Sequence, residues 1–139
     1  EEHSTFGFPE IMFGLFPCTG AMSLLSRRVG GALAERIMTN GKIYSARELL
    51  DMGLVDALCA RGDGEAEVAR FIGQHARRRA ARQSVERSRK RLAPLDHGEL
   101  ALVVDDWVDL AIALDPDALR VMDMLILMQD GVAQSAVHH

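Results

Sequence analysis

A mostly α-helical chain with one or two short strands is what the sequence predicts. Three observations carry this. Helix-start signatures recur at Ser45-Ala46-Arg47-Glu48, at Asp96 with Glu99, and at Asp115-Pro116. Glycine or proline stops follow candidate helices at Gly30-Gly31, Asn40-Gly41, Gly53 and Pro94. Apolar residues at helical spacing dominate the last third of the chain, whereas β-type alternation is short and weak.

Taken in order, residues 4 to 8 suit a short strand. Pro9 fixes its own φ and disfavours helix at Phe8, so Glu10 begins a turn. A helix is expected from about Thr19 to Val29, and a second from about Ala32 to Thr39. Ser45 and Glu48 form a capping box for a short helix that ends at Gly53. Leu54-Val55-Asp56-Ala57-Leu58 suits a short strand, and Arg61-Gly62-Asp63-Gly64 a loop. One long polar helix should run from about Glu65 to Arg91 and break before Pro94. Asp96 and Glu99 open an apolar helix from about His97 to Leu114, and Asp115 caps the last, from Pro116 to about Ala133. Leu100, Val103, Val104, Trp107, Leu110, Ala111 and Leu114 form one broad apolar face; Leu119, Met122, Leu125, Ile126 and Gln129 follow helical spacing on the next helix. Ordinary core accounts for such faces. Part of this surface should also meet another subunit.

The chain has 139 residues, 48% of them hydrophobic and 26% charged, enough for one domain or a large piece of one. A net charge of −4 makes no general case for nucleic acid or anionic membrane as partner. No apolar run reaches the roughly 18 residues of a membrane span. Cys18 and Cys59 stand far apart, with neither metal-ligand nor disulfide-framework spacing, which suits a reducing, cytoplasmic setting. The start, Glu1-Glu2-His3-Ser4-Thr5, has no signal-peptide pattern and no initiator methionine. The chain is therefore expected to be a fragment. His138-His139 fit a native end or a trimmed tag equally.

Glu10 is the first candidate for chemistry. It follows Pro9 within Phe8-Pro9-Glu10-Ile11-Met12-Phe13-Gly14-Leu15-Phe16-Pro17. A carboxylate held on a stiff turn among apolar side chains has the surroundings that tune an acid/base group. The same residue suits a cap on the next turn, and the residues alone leave both readings open. Arg77, Arg78, Arg79, Arg82, Arg87, Arg89, Lys90 and Arg91 form a basic run with Glu86 as its one acid and no interleaved aromatic. It suits a solvated face first, then docking of an acidic protein or of phosphates, and nucleic acid last. His75 and His97 are expected at the surface, and Met122, Met124 and Met128 as core filler.

The Phe8–Pro17 segment closely resembles the second catalytic-glutamate motif of the crotonase superfamily, the enoyl-CoA hydratases and isomerases. Ser26-Arg27-Arg28-Val29-Gly30, Ala34-Glu35-Arg36-Ile37-Met38 and Tyr44-Ser45-Ala46-Arg47-Glu48-Leu49-Leu50-Asp51-Met52-Gly53-Leu54-Val55-Asp56 look like the stretch that follows it. Trp107-Val108-Asp109 and Leu119-Arg120-Val121-Met122-Asp123 resemble the C-terminal helices of the synthases of diffusible signal factor. The resemblance spans nearly the whole chain but only the C-terminal half of the family's length. It implies the α/β crotonase fold, a ββα spiral, in a longer parent. Residues 1–60 would be the C-terminal part of that spiral core and residues 61–139 a helical oligomerisation region of a trimer or hexamer.

The resemblance also implies an acyl thioester as substrate, with coenzyme A or acyl carrier protein as carrier and no separate cofactor or metal. Glu10 would be catalytic. Leu15, Pro17, Cys18, Thr19, Gly20, Trp107 and Leu119 would line the acyl pocket, and Arg77–Arg91 would dock the carrier protein. Three readings of function follow. One is dehydration of a 3-hydroxyacyl thioester, with or without hydrolysis, to a 2-unsaturated fatty acid signal. The second is an ordinary enoyl-CoA hydratase or isomerase of fatty-acid metabolism. The third is a non-catalytic helical assembly module. Two departures from the family stand out. Cys18 takes the place of a glycine, which adds a side chain where positive φ is expected, and Thr19 replaces a larger apolar residue. Cys18 serves better as pocket wall or altered turn than as nucleophile, because a thiol near a carboxylate is less acidic. The glycine-rich turns and first glutamate of the family are not found in this sequence, so the chain alone is expected to be inactive.

Overall fold

In a computed structural model the structure describes residues 1–136; His138-His139 and the side chains of Leu125 and Gln129 lie outside what is described. The element order is β1 (Thr5–Phe6), a 3₁₀ helix (Pro9–Phe13), α1 (Ala21–Val29), α2 (Gly31–Thr39), β2 (Tyr44–Ser45), α3 (Ala46–Asp51), α4 (Gly64–Ala76), α5 (Arg79–Leu92), α6 (His97–Ile112) and α7 (Pro116–Ala136). The two strands pair antiparallel, Thr5 opposite Ser45 and Phe6 opposite Tyr44. The expected balance, mostly helix with a little strand, is what forms.

The core sits between α2, β2 and α3. Ile37, Tyr44 and Leu49 are its centre, and Phe8, Leu25, Leu33, Met52, Leu54 and Val55 pack against them. Strand β2 passes directly into α3, because Ser45 is also the N-cap. Its hydroxyl accepts from the Glu48 amide, and the Glu48 carboxylate accepts from the Ser45 amide at 2.9 Å. The capping box predicted there is complete. Asp96 caps α6 by accepting from the Glu99 amide at 2.9 Å, and Asp115 caps α7 through the amides of Asp117 and Ala118.

Several expectations are corrected. Leu54–Leu58 forms no strand. Gly53 at φ 76° turns the chain back, and the amides of Leu54 and Val55 are spent on the Leu49 carbonyl at 2.9 and 3.4 Å, closing the end of α3 instead of joining a sheet. The long polar helix is two helices. The chain bends at Arg77-Arg78, and the Arg82 guanidinium comes within 5.9 Å of the Phe71 ring. A straight helix would hold residues eleven apart about 16 Å from each other. The second box is only half made, because the Glu99 carboxylate goes to Arg27 instead of back to the cap. His75 is half-buried, with Nδ1 2.7 Å from the Phe71 carbonyl and its ring 4.2 Å from that of Phe71. Met124 and Met128 are exposed, so neither fills a core.

The broad apolar face of α6 divides. Leu100, Val103, Trp107, Ala111 and Leu114 are half-buried, whereas Val104 and Leu110 are exposed. No residue of α4, α5 or α6 is fully buried. The chain exposes 10184 Å², against about 7,100 Å² for a compact monomer of this mass. No helix among the described residues is long and apolar enough to cross a membrane.

Candidate functional site

Phe8 is extended (φ −117°, ψ 93°), as the residue before a proline should be, and Pro9 opens the 3₁₀ helix that carries Glu10. Gly14 ends that helix in the left-handed region, φ 80°, and the Leu15 amide returns to the Glu10 carbonyl at 3.0 Å. Phe13 and Leu15 are buried and anchor the turn from below. The Glu10 backbone is thus held at both ends. Its side chain is half-buried, and carboxylate oxygen Oε2 is buried with no hydrogen-bond partner among the described residues. A capping carboxylate would accept a backbone amide, and none of the described amides donates to this one. An orphaned buried acceptor costs free energy. It is what a carboxylate kept free for a ligand or a proton looks like.

Pro17 and Gly20 are buried, Cys18 is half-buried and Thr19 exposed. Gly20, at φ 77°, takes the left-handed position, and none of the described non-glycine residues has positive φ. Cysteine at 18 therefore costs no strain, because the turn's demand for glycine falls two residues later. A Cβ at Gly20 would lie 2.5 Å from Leu100 Cδ2, and one at Gly14 would lie 3.9 Å from Leu114 Cδ2. Both leucines stand on the half-buried stripe of α6 and its C-terminal turn. That stripe therefore covers the turn after Glu10, and Trp107 sits midway along it. Helix α7 packs against the 3₁₀ helix, although Leu119 is exposed.

A clamp holds α6 in place. Arg27 on α1 donates from Nε to the Ala93 carbonyl (3.1 Å), from Nη1 to the Ser23 carbonyl (2.9 Å) and Glu99 Oε1 (2.8 Å), and from Nη2 to Glu99 Oε2 (2.6 Å) and the Pro94 carbonyl. All five guanidinium donors are used. The Arg27 guanidinium, and after it Ser23, holds the Glu99 carboxyl below the ordinary carboxylate range. Nothing in one sequence signals this pair, since its members lie 72 positions apart.

Among the grooves formed by the described residues are three that Glu10 does not line. The largest of these three, about 870 Å³, lies along α4 and α5 and contains part of the basic run. A second, about 260 Å³, shares Arg28 and Arg89 with it. The third, about 390 Å³, includes Lys42, Tyr44 and Glu48. There the Lys42 ammonium, followed by the Ser45 amide and hydroxyl, holds the Glu48 carboxyl down to about 2. None of the residues of the basic run that line these grooves shares a groove with Glu10.

Comparison with known proteins finds relatives over part of the chain. A family model described as enoyl-CoA hydratase/isomerase matches residues 1–95. YhaR of Bacillus subtilis (strain 168), provisionally named an enoyl-CoA hydratase/isomerase, is 42% identical over 72 residues, 52% of this chain and 28% of its own. The 2,3-dehydroadipyl-CoA hydratase of Escherichia coli (strain K12) is 37% identical over 54 residues, 39% of this chain and 21% of its own. A crystal structure from Streptomyces avermitilis, provisionally named an enoyl-CoA hydratase, superposes with a TM-score of 0.53 at 22% identity, over 76% of this chain and 38% of that one. Each match takes in well under two thirds of the relative's length.

Proposed function

Because the chain belongs to the enoyl-CoA hydratase/isomerase family, we propose that Glu10 is the acid/base group of an acyl-thioester site. The reading is carried by Glu10 Oε2, buried and unpartnered on a turn headed by Pro9. The reaction is dehydration of a 3-hydroxyacyl thioester carried on coenzyme A or an acyl carrier protein. A proton leaves C2, the C3 hydroxyl leaves with a proton as water, and a 2-enoyl thioester remains. Glu10 carries one of these protons. Hydrolysis of the thioester would then release a 2-unsaturated fatty acid signal. Leu15, Pro17, Cys18, Thr19, Gly20, Trp107 and Leu119 line the acyl path, the half-buried stripe of Leu100, Trp107 and Leu114 being its cover. The working protein is a trimer or hexamer. The reverse step, hydration of an enoyl-CoA in ordinary fatty-acid metabolism, is a second reading favoured by the names of the relatives.

Catalysis also needs donors aimed at the thioester oxyanion. The family's glycine-rich turns that supply such donors are not found in this sequence, so we expect the chain alone to bind acyl thioester without turning it over. Titration with a medium-chain acyl-CoA should change the emission of Trp107, the one tryptophan. In a version extended to the relatives' full length, Glu10→Gln should lower kcat on 3-hydroxyacyl substrates on the order of 100-fold or more. Unchanged kcat in that variant would end the assignment of Glu10. Silent Trp107 emission at saturating acyl-CoA would favour an assembly module without acyl binding. Turnover of enoyl-CoA but of no 3-hydroxyacyl carrier protein substrate would favour the second reading.

A further inference from the structure

Helix α6 is tied to α1 at two points. Gly20, the N-cap of α1, and Arg27 in its last turn are two helical turns apart, so both lie on one face of that helix. The first turn of α6 meets this face with consecutive residues. The Glu99 carboxylate accepts two bonds from Arg27, at 2.8 and 2.6 Å, and Leu100 closes on Gly20, where a Cβ would lie 2.5 Å from Leu100 Cδ2. The remaining donors of Arg27 go to the Ser23, Ala93 and Pro94 carbonyls, which ties the end of α5 and the joint between α5 and α6 into the same knot. Asp96 already caps α6 through the Glu99 amide, so the Glu99 carboxylate is not needed to start the helix. A partly exposed ion pair contributes little stability. A planar fork with every donor engaged contributes position instead.

We infer that Arg27 is a positioning residue for the acyl site, acting through Glu99 to set the register of α6 over the turn that follows Glu10. This rests on the acyl-thioester reading proposed above. Helix α6 has no fully buried residue, and apolar contact is non-directional, so its half-buried stripe alone holds its register weakly. Leu100, Trp107 and Leu114 recur every second turn along that stripe. Trp107 stands about 10 Å along the helix from Leu100. A slide or roll at the first turn therefore carries the indole and Leu114 with it. The backbone of Glu10 is independent of the clamp, because its turn is closed locally by Gly14 and by the Leu15 amide on the Glu10 carbonyl. Loosening the clamp thus costs contact with the acyl tail and spares the groups near the thioester.

Isothermal titration calorimetry of the whole chain with butanoyl-CoA and decanoyl-CoA tests it. The wild type should hold decanoyl-CoA on the order of tenfold or more tighter, since the longer tail reaches the cover. Arg27→Lys should weaken decanoyl-CoA on the order of tenfold and leave butanoyl-CoA within about twofold. Where circular dichroism shows Arg27→Lys unfolded, Glu99→Gln, which keeps the Asp96 cap, carries the same expectation. Ile37→Val is the control for a merely structural effect. Ile37 sits in the core of α2, β2 and α3, so this variant should lower the urea midpoint and leave the chain-length preference intact. The role of Arg27 is overturned if the clamp variant keeps the wild-type preference, or loses both ligands in equal proportion, or if Ile37→Val flattens the preference as much. A wild type that binds both ligands alike overturns it too, because the tail then never meets the cover. A wild type that binds neither ligand ends the acyl-thioester reading itself, and the role of Arg27 with it.

Discussion

Glu10 sits where a residue chosen for stability would not. Its Oε2 is buried and unpaired, and an unsatisfied buried acceptor is a cost that an apolar side chain of similar size avoids. Glu10→Leu should therefore raise the stability of this chain by about 1 kcal/mol, measured by thermal or urea unfolding, while removing the proposed proton transfer in a version extended to the relatives' length. A stability loss in that variant would show the carboxylate to be a structural ligand after all. The sequence revealed the turn, because Pro9 constrains Phe8 and itself locally. It did not reveal that the carboxylate goes unpaired, which depends on how α6, α7 and the Gly41 loop come down around the 3₁₀ helix. Cys18 teaches the same lesson in reverse. The strain expected from losing a glycine there is absent, because Gly20 takes the left-handed position.

Among the elements, those fixed by local chemistry were legible and those fixed by distant partners were not. Ser45 and Glu48 close their capping box within one turn, so spacing alone found α3. Leu54–Leu58 suited a strand because it alternates weakly, but a strand needs an edge to pair with, and the amides of Leu54 and Val55 are used to close α3. The bend at Arg77-Arg78 brings Arg82 to the Phe71 ring, a contact across the turn that spacing along one helix does not show.

The α3 box carries a pH signature. The Glu48 carboxyl is lowered from 4.5 to about 2 by the Lys42 ammonium first and Ser45 second. A lowered folded-state value gives stability that is present above the unfolded value and lost as pH falls from about 4.5 through about 2. Wild type should lose its advantage over Glu48→Gln across that window, read as the difference in urea midpoints. A difference that stays constant from pH 6 to pH 2 would remove Glu48 as its source. The Arg27 clamp makes the other prediction at this scale. Lysine offers three donors at one point where the guanidinium spreads five over Ser23, Ala93, Pro94 and Glu99. Arg27→Lys should keep the charge yet loosen the first turn of α6 and shift Trp107 emission to the red. Unchanged emission would mean that α6 is held by its apolar stripe alone.

The whole molecule is divided unevenly between a small core and a large uncovered surface. Ile37 is the one large side chain described as fully enclosed, α5 has no buried residue, and the accessible surface exceeds that of a compact monomer by about 3,000 Å². Stability should grade accordingly, because opening a helix that buries nothing exposes little new apolar surface. In amide hydrogen exchange on the dilute chain, the interior of α2 around Ile37 and the amides of α3 should be the slowest, and those of α5 among the fastest. Protection along α5 within a few-fold of that in α2 would contradict the exposed state of this helix.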